Sequence, residues 1–162
     1  MTGVVAAGVV ASATLLAFPV AADEGPPDLA ALKAATARYH SVKVALADGY
    51  VPVGGCVPGM GYHYVNFARF GAAEPLRPEG LLYTTDKHGR LTLAGAEWFV
   101  VDEDQVVTTH NTVVPQMFGQ TFDGPMPGHE AGMPVHYDLH AYVWAENPDG
   151  LFATWNTTIT CP

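Results

Sequence analysis

Basic side chains are scarce in this chain. It carries seven Lys and Arg against 16 Asp and Glu, for a net charge of −9. Such a surface repels nucleic acid and anionic lipid, which argues against both as partners. Charge of either sign is thin: 14% of the 162 residues are charged and 49% are hydrophobic. A chain so composed buries a core rather than staying disordered. Serine is nearly absent beyond the first stretch, where Ser41 stands without a nucleophile motif. No Walker loop, dinucleotide fingerprint, H-E-x-x-H or G-x-S-x-G occurs. Cysteine is limited to Cys56 and Cys161, which form no C-x-x-C pair. An even count in an exported chain predicts one disulfide, tying the C-terminus to the stretch before residue 60.

Residues 1–22, "MTGVVAAGVVASATLLAFPVAA", lack charge altogether. They predict the apolar region of a secretory signal, cleaved after Val20-Ala21-Ala22. A positive n-region is missing, and the length nearly suffices for a retained anchor, the alternative. The expectation is a secreted or periplasmic protein with residues 23–162 as one domain and no membrane partner after cleavage.

Glycine, proline and histidine are what the chain has in quantity. The 17 Gly and 13 Pro predict many turns, and the seven His equal Lys and Arg combined. Residues 28–48 predict one helix: Leu29, Leu32, Thr36, Tyr39, Val42 and Leu46 recur at three- and four-residue steps. Asp28 is the expected N-cap and Gly49 the stop. Beyond it the period changes to two. Strands are expected at 61–67, 80–85, 90–102, 135–144 and 151–160, with 86–89 as a hairpin turn. Segment 103–134 reads as a long functional or mobile loop. The fold class is therefore α+β: an N-terminal helix on an antiparallel sheet or small barrel.

Strand alternation puts His136, Asp138 and His140 on one face, about 7 Å apart along the strand. His63 shares a face with Val65 and Phe67. Glu97 falls in register with Leu91, Leu93, Phe99 and Val101, and a carboxylate on an apolar face is costly unless paired or metal-bound. The competing reading is a Glu held by protein hydrogen-bond donors. Two or three His with one carboxylate, drawn from separate strands, match catalytic zinc or non-haem iron. Met126 and Met133, each three residues before a histidine, add a copper reading. The expected ligands are thus His63, Glu97, His136 and His140, with zinc first, copper next and iron third. Glu97 and Asp138 are the candidate catalytic carboxylates.

Four segments, "GMGYHYVN" (59–66), "PEGLLYTTDKHGRLTLAGAEWFV" (78–100), "MFGQTFDGPMPGHE" (117–130) and "HYDLHAYVWAENPDGLFATWNTTITC" (136–161), taken together resemble a family of uncharacterised secreted bacterial proteins. The resemblance implies a signal peptide, a terminal disulfide and a recurrent His63, Glu97 and His140, with His136 and the Met-Pro-x-His units more variable. It implies no activity. The reading is a secreted metal-binding protein with a mononuclear His/Glu site, extending to a metal-dependent enzyme that uses activated water or dioxygen. The alternative is a non-catalytic small-molecule or sugar-binding module, with Tyr62, Tyr64, Tyr142, Trp144 and Trp155 lining its pocket.

Overall fold

The computed structural model describes residues 28–162, so the expected signal segment 1–22 lies outside the described residues. The fold is α+β. Helix α1 (Leu29–Thr36) leads through a 3₁₀ turn (Ala37–His40) into α2 (Val42–Ala47). Strands β1 (Val51–Val57), β2 (Gly61–Val65), β3 (Gly80–Thr85), β4 (Leu91–Val101), β7 (Asp123–Met126) and β8 (His136–Ala141) form one antiparallel sheet in the order β1-β2-β3-β4-β8-β7. Strands β5 (Gln116–Met117) and β6 (Gln120–Thr121) make a separate small hairpin.

The single helix expected over 28–48 is broken. Asp28 does cap α1, accepting from the Ala31 N–H. At Ser41, however, the backbone is extended (φ −92°, ψ 105°). In an unbroken helix the Tyr39 carbonyl would accept from residue 43. Here the buried Tyr83 hydroxyl donates to it instead, at 2.7 Å. The apolar stripe is shorter than expected too. Leu32, Thr36, Tyr39 and Ala45 are buried, whereas Leu29 and Leu46 are exposed.

The helical segment covers one face of the sheet. Tyr39 and Ala45 pack with Tyr64, Leu81, Tyr83 and Leu93. Leu32 packs with Ala96, Trp98, Tyr137, Leu139 and Ala141. On β4 the pairing slips between Leu82↔Gly95 and Tyr83↔Leu93, a bulge that leaves Ala94 unpaired. The alternation expected along 91–101 therefore fails. Leu93 faces the helices, and beyond the bulge it is Ala96 and Trp98 that do so. Glu97 and Phe99 turn to the opposite face, without Leu91 and Leu93.

Both outer strands carry residues that end a sheet. Pro52 interrupts β1 and Pro125 interrupts β7, each removing a donor at an edge. The two edges do not pair with each other, so the sheet stays open. Segment 103–134 is less featureless than expected, since it holds β5, β6 and β7. The closing strand expected at 151–160 is instead irregular chain. It is docked by Asn156 N–H to the Gly59 carbonyl and by Gly59 N–H to the Ile159 carbonyl. Asn156 is fully buried and donates from its side chain to the Glu146 carbonyl. Cys56 on β1 bonds to Cys161, 105 residues away. No helix among the described residues is long and apolar enough to cross a membrane.

Glu79 pins the loop before β3. Its carboxylate is fully buried and accepts from the N–H groups of Ala73 (2.6 Å) and Phe99 (3.4 Å). Burial pushes its pKa up to about 7, against the pull of those donors. The folded state therefore holds this proton more tightly than the unfolded chain, and stability falls as pH rises from the ordinary carboxylate range to about 7. The expected contribution is on the order of 2 kcal/mol. Urea unfolding from pH 4 to 8 should show a shallower decline in Glu79→Gln than in the parent. Parallel curves would remove Glu79 as the source.

Candidate metal centre

Three strands deliver the candidate ligands to the sheet face away from the helices. Glu97 sits directly opposite His140 on β8 and opposite Gly80 on β3. His63 pairs with Leu82, one step along the same face. The Glu97 side chain lies in the space that Gly80 leaves open. A methyl group at Gly80 would lie 2.8 Å from both Glu97 Cβ and Glu97 Oε2. Gly80 is thus required for the carboxylate to lie where it does. In Gly80→Ala the expected loss is about 1–3 kcal/mol in urea unfolding. The His63 ring resonances should move while those of His88, in the distant hairpin turn, stay fixed. An unchanged His63 spectrum would disprove the role given to Gly80.

His140 Nε2 lies 3.2 Å from Glu97 Oε1, and His63 Nε2 lies 3.8 Å from Glu97 Oε2. One ligand atom from each of His63, Glu97 and His140 falls within 4.8 Å of the others, so the three could hold a metal ion. Glu97 and His140 are buried, and the His63 side chain is 16% exposed. Among the described residues six buried side-chain atoms lack a hydrogen-bond partner. Five of them belong to this face: Glu97 Oε2, Asp138 Oδ1, His136 Nε2 and both ring nitrogens of His140. Buried polar atoms are nearly always satisfied, so such a concentration marks a place suited to a ligand. The alternative of a Glu fully satisfied by protein donors fails on Glu97 Oε2.

The charges support one another. Burial acts to lower the His140 pKa, but Glu97 beside it and Asp138 behind it push it up to about 9. Burial acts to raise Glu97, yet His63 and His140 hold its carboxyl below the ordinary range. His63 is lowered by burial. Burial pushes Asp138 up to about 7, against the attraction of His140.

His136 stays apart from the three. It is buried on the same strand face, with its ring 5.5 Å from that of Phe99 and 5.2 Å from that of His129. Nδ1 lies 3.0 Å from the Pro134 carbonyl, so it carries the proton and Nε2 the lone pair. Asp138 Oδ1 stands 3.8 Å from His140 Nδ1, on the side of the ring away from Glu97.

Above the three groups opens a cavity of about 480 Å³. Its walls include Val57 from β1, Val65 from β2, Phe99 from β4 and Trp155 from the C-terminal segment. The Met-Pro-x-His stretch folds over it, contributing Met126, His129 and Met133. Glu130 leans against β1: a Cβ on Gly54 would lie 2.9 Å from Glu130 Oε1. Of the aromatic residues expected in a pocket, only Trp155 lines it. Tyr62 and Tyr64 face the helices, the Trp144 indole donates to Thr36 on α1, and Tyr142 packs with Leu82 and Ile159. Sequence reasoning missed Gly80, Met60 and Phe99 as parts of the site; the G-L-L-Y start of β3 opposite Glu97 was the available signal.

Comparison with protein-family models, curated proteins and solved structures gives no match.

Proposed function

We propose that the protein is an exported metal-binding protein whose ion sits between His63, Glu97 and His140, and that it works as a metal-dependent enzyme. The observation that carries this is the convergence of two His and one Glu from three strands, with buried atoms left unpartnered. Two His and one Glu with an open side are a donor set suited to catalytic zinc, and the cavity provides the open side. Copper comes second, since Met126 and Met133 border the same space, and iron third. A divalent ion there would supply activated water, or dioxygen chemistry if redox-active. The chain's own part is to hold the His rings in one tautomer. The Asp138 carboxyl stands on the Nδ1 side of His140, 3.8 Å away, and its charge would favour a proton there over Nε2, which faces Glu97. The Cys56–Cys161 disulfide supports work in an oxidising compartment.

Metal analysis of the purified full chain after reconstitution is the direct test. One equivalent of zinc is expected in the parent, and clearly less in His63→Ala and Glu97→Ala. Sub-stoichiometric metal in the parent would sink the reading. The second reading, a small-molecule-binding module without catalysis, rests on the cavity, whose volume is within the range of ligand pockets.

A further inference from the structure

We propose that the cavity takes a molecule with a compact hydrocarbon body and a single oxygen-donor head, seated body to the walls and head to the His63–Glu97–His140 floor. The head-group half rests on the metal reading above; the body half does not.

The distribution of side chains carries the argument. Among the residues that line the cavity there is no Lys and no Arg. Its carboxylates are Glu97 and Asp138 at the floor and Glu130 at the loop, with His140 beside Glu97. Positive charge thus comes only from the His rings and any ion held at the floor, and a phosphate or a polycarboxylate would find no Lys or Arg to pair its further charges. A sugar needs donors and acceptors spread around its rim, whereas away from the floor most lining side chains are Val, Met, Phe or Trp, and the polar ones are His129, Glu130 and Thr154. Val53, Val57, Val65, Phe99, Met126 and Met133 all line the space. With Met60 added, three thioether side chains border the space, and these adapt to varied hydrocarbon shapes. Phe67 and Trp155 also line it and are 51% and 55% exposed, apolar surface left facing water. Polar atoms that want a partner are gathered at the floor, on Glu97, Asp138 and His140. A ligand with one polar end satisfies this arrangement, and one with many does not.

The test uses the full chain and alkyl hydroxamates, whose head chelates zinc and whose tail can be lengthened. Calorimetry on zinc-loaded protein should give one-to-one binding that tightens about threefold to fourfold per methylene from acetohydroxamate to octanohydroxamate. Metal-free protein titrated with the matching straight-chain alcohols should show the same dependence on chain length at weaker affinity. Met133→Asp, on the loop, should weaken octanohydroxamate at least tenfold and leave acetohydroxamate unchanged. Equal affinity along both series would overturn the proposal, as would an octanohydroxamate affinity untouched by Met133→Asp. Should zinc fail to bind, the hydroxamates lose their advantage over the alcohols while the chain-length dependence persists, which overturns the head-group half and upholds the body half.

Discussion

Glu97→Gln is expected to weaken zinc binding by roughly 100-fold or more, since even losing a partner behind a ligand costs 10- to 100-fold. The substitution keeps the shape of the side chain and removes its charge. His63 and His140 then remain as two neutral donors with no anion between them. The surroundings offer no substitute: Asp138 lies on the Nδ1 side of His140, away from the gap. The same change should release His140. Its pKa is up at about 9 chiefly because Glu97 outweighs the effect of burial, so the variant's ring should titrate well below the parent's. His136→Gln should alter zinc affinity less than threefold, because its Nε2 lies outside the group of three. Competition against a chromophoric chelator reads the affinities, and a pH titration of the imidazole resonances in metal-free protein reads His140. A Glu97→Gln affinity within threefold of the parent would count against a metal centre here, and a large loss in His136→Gln would make His136 a ligand after all.

Breaking the Cys56–Cys161 link should produce a large loss of stability. The bond closes a loop of 105 residues, and the chain-entropy account gives about 4–5 kcal/mol for such a loop, less where the unlinked chain keeps structure. A loss of about 3 kcal/mol or more is expected for Cys56→Ala/Cys161→Ala in urea unfolding. The loss should be uneven. Cys56 belongs to edge strand β1, which is paired on one side only, and the partner segment 151–162 has no sheet pairing. Amides of Val51–Val57 should therefore exchange with solvent well before those of β4, which is paired on both sides. A change below 1 kcal/mol, or uniform exchange, would show that packing alone holds this edge.

The parts of the structure that could be read in the sequence are those that depend on local pattern. The 80–101 hairpin follows from period-two alternation around D-K-H-G. The disulfide follows from the cysteine count. Glu97 stands out because a carboxylate interrupts an apolar strand, and His140 follows from the spacing in "HYDLH". What could not be read depends on distant partners. The helix breaks because Tyr83, far along the chain, takes the Tyr39 carbonyl. The bulge at Ala94 shows only in the pairing with β3, and without it the face of Glu97 is assigned for the wrong neighbours. Strand β1 was hidden by Pro52, Gly54 and Gly55, residues that a strand tolerates at an edge. Residues 151–160 have strand composition, yet Asn156 draws their hydrogen bonds to Gly59 and Glu146. The cavity walls come from six separated segments, so no window of sequence displays them.

The unpaired edges of the sheet divide labour within the site. The floor groups sit on β2, β4 and β8, each flanked by strands on both sides, so their positions are fixed by the sheet itself. Val65 and Phe99 apart, the walls come from β1, from β7, from the chain between β7 and β8 and from the C-terminal segment, where sheet pairing is one-sided or absent. Substitutions at Val53, Val57 or Met133 can therefore reshape what the cavity admits while the His–Glu–His geometry stays put. On the proposed reading, selectivity and chemistry would then be carried by different parts of the chain.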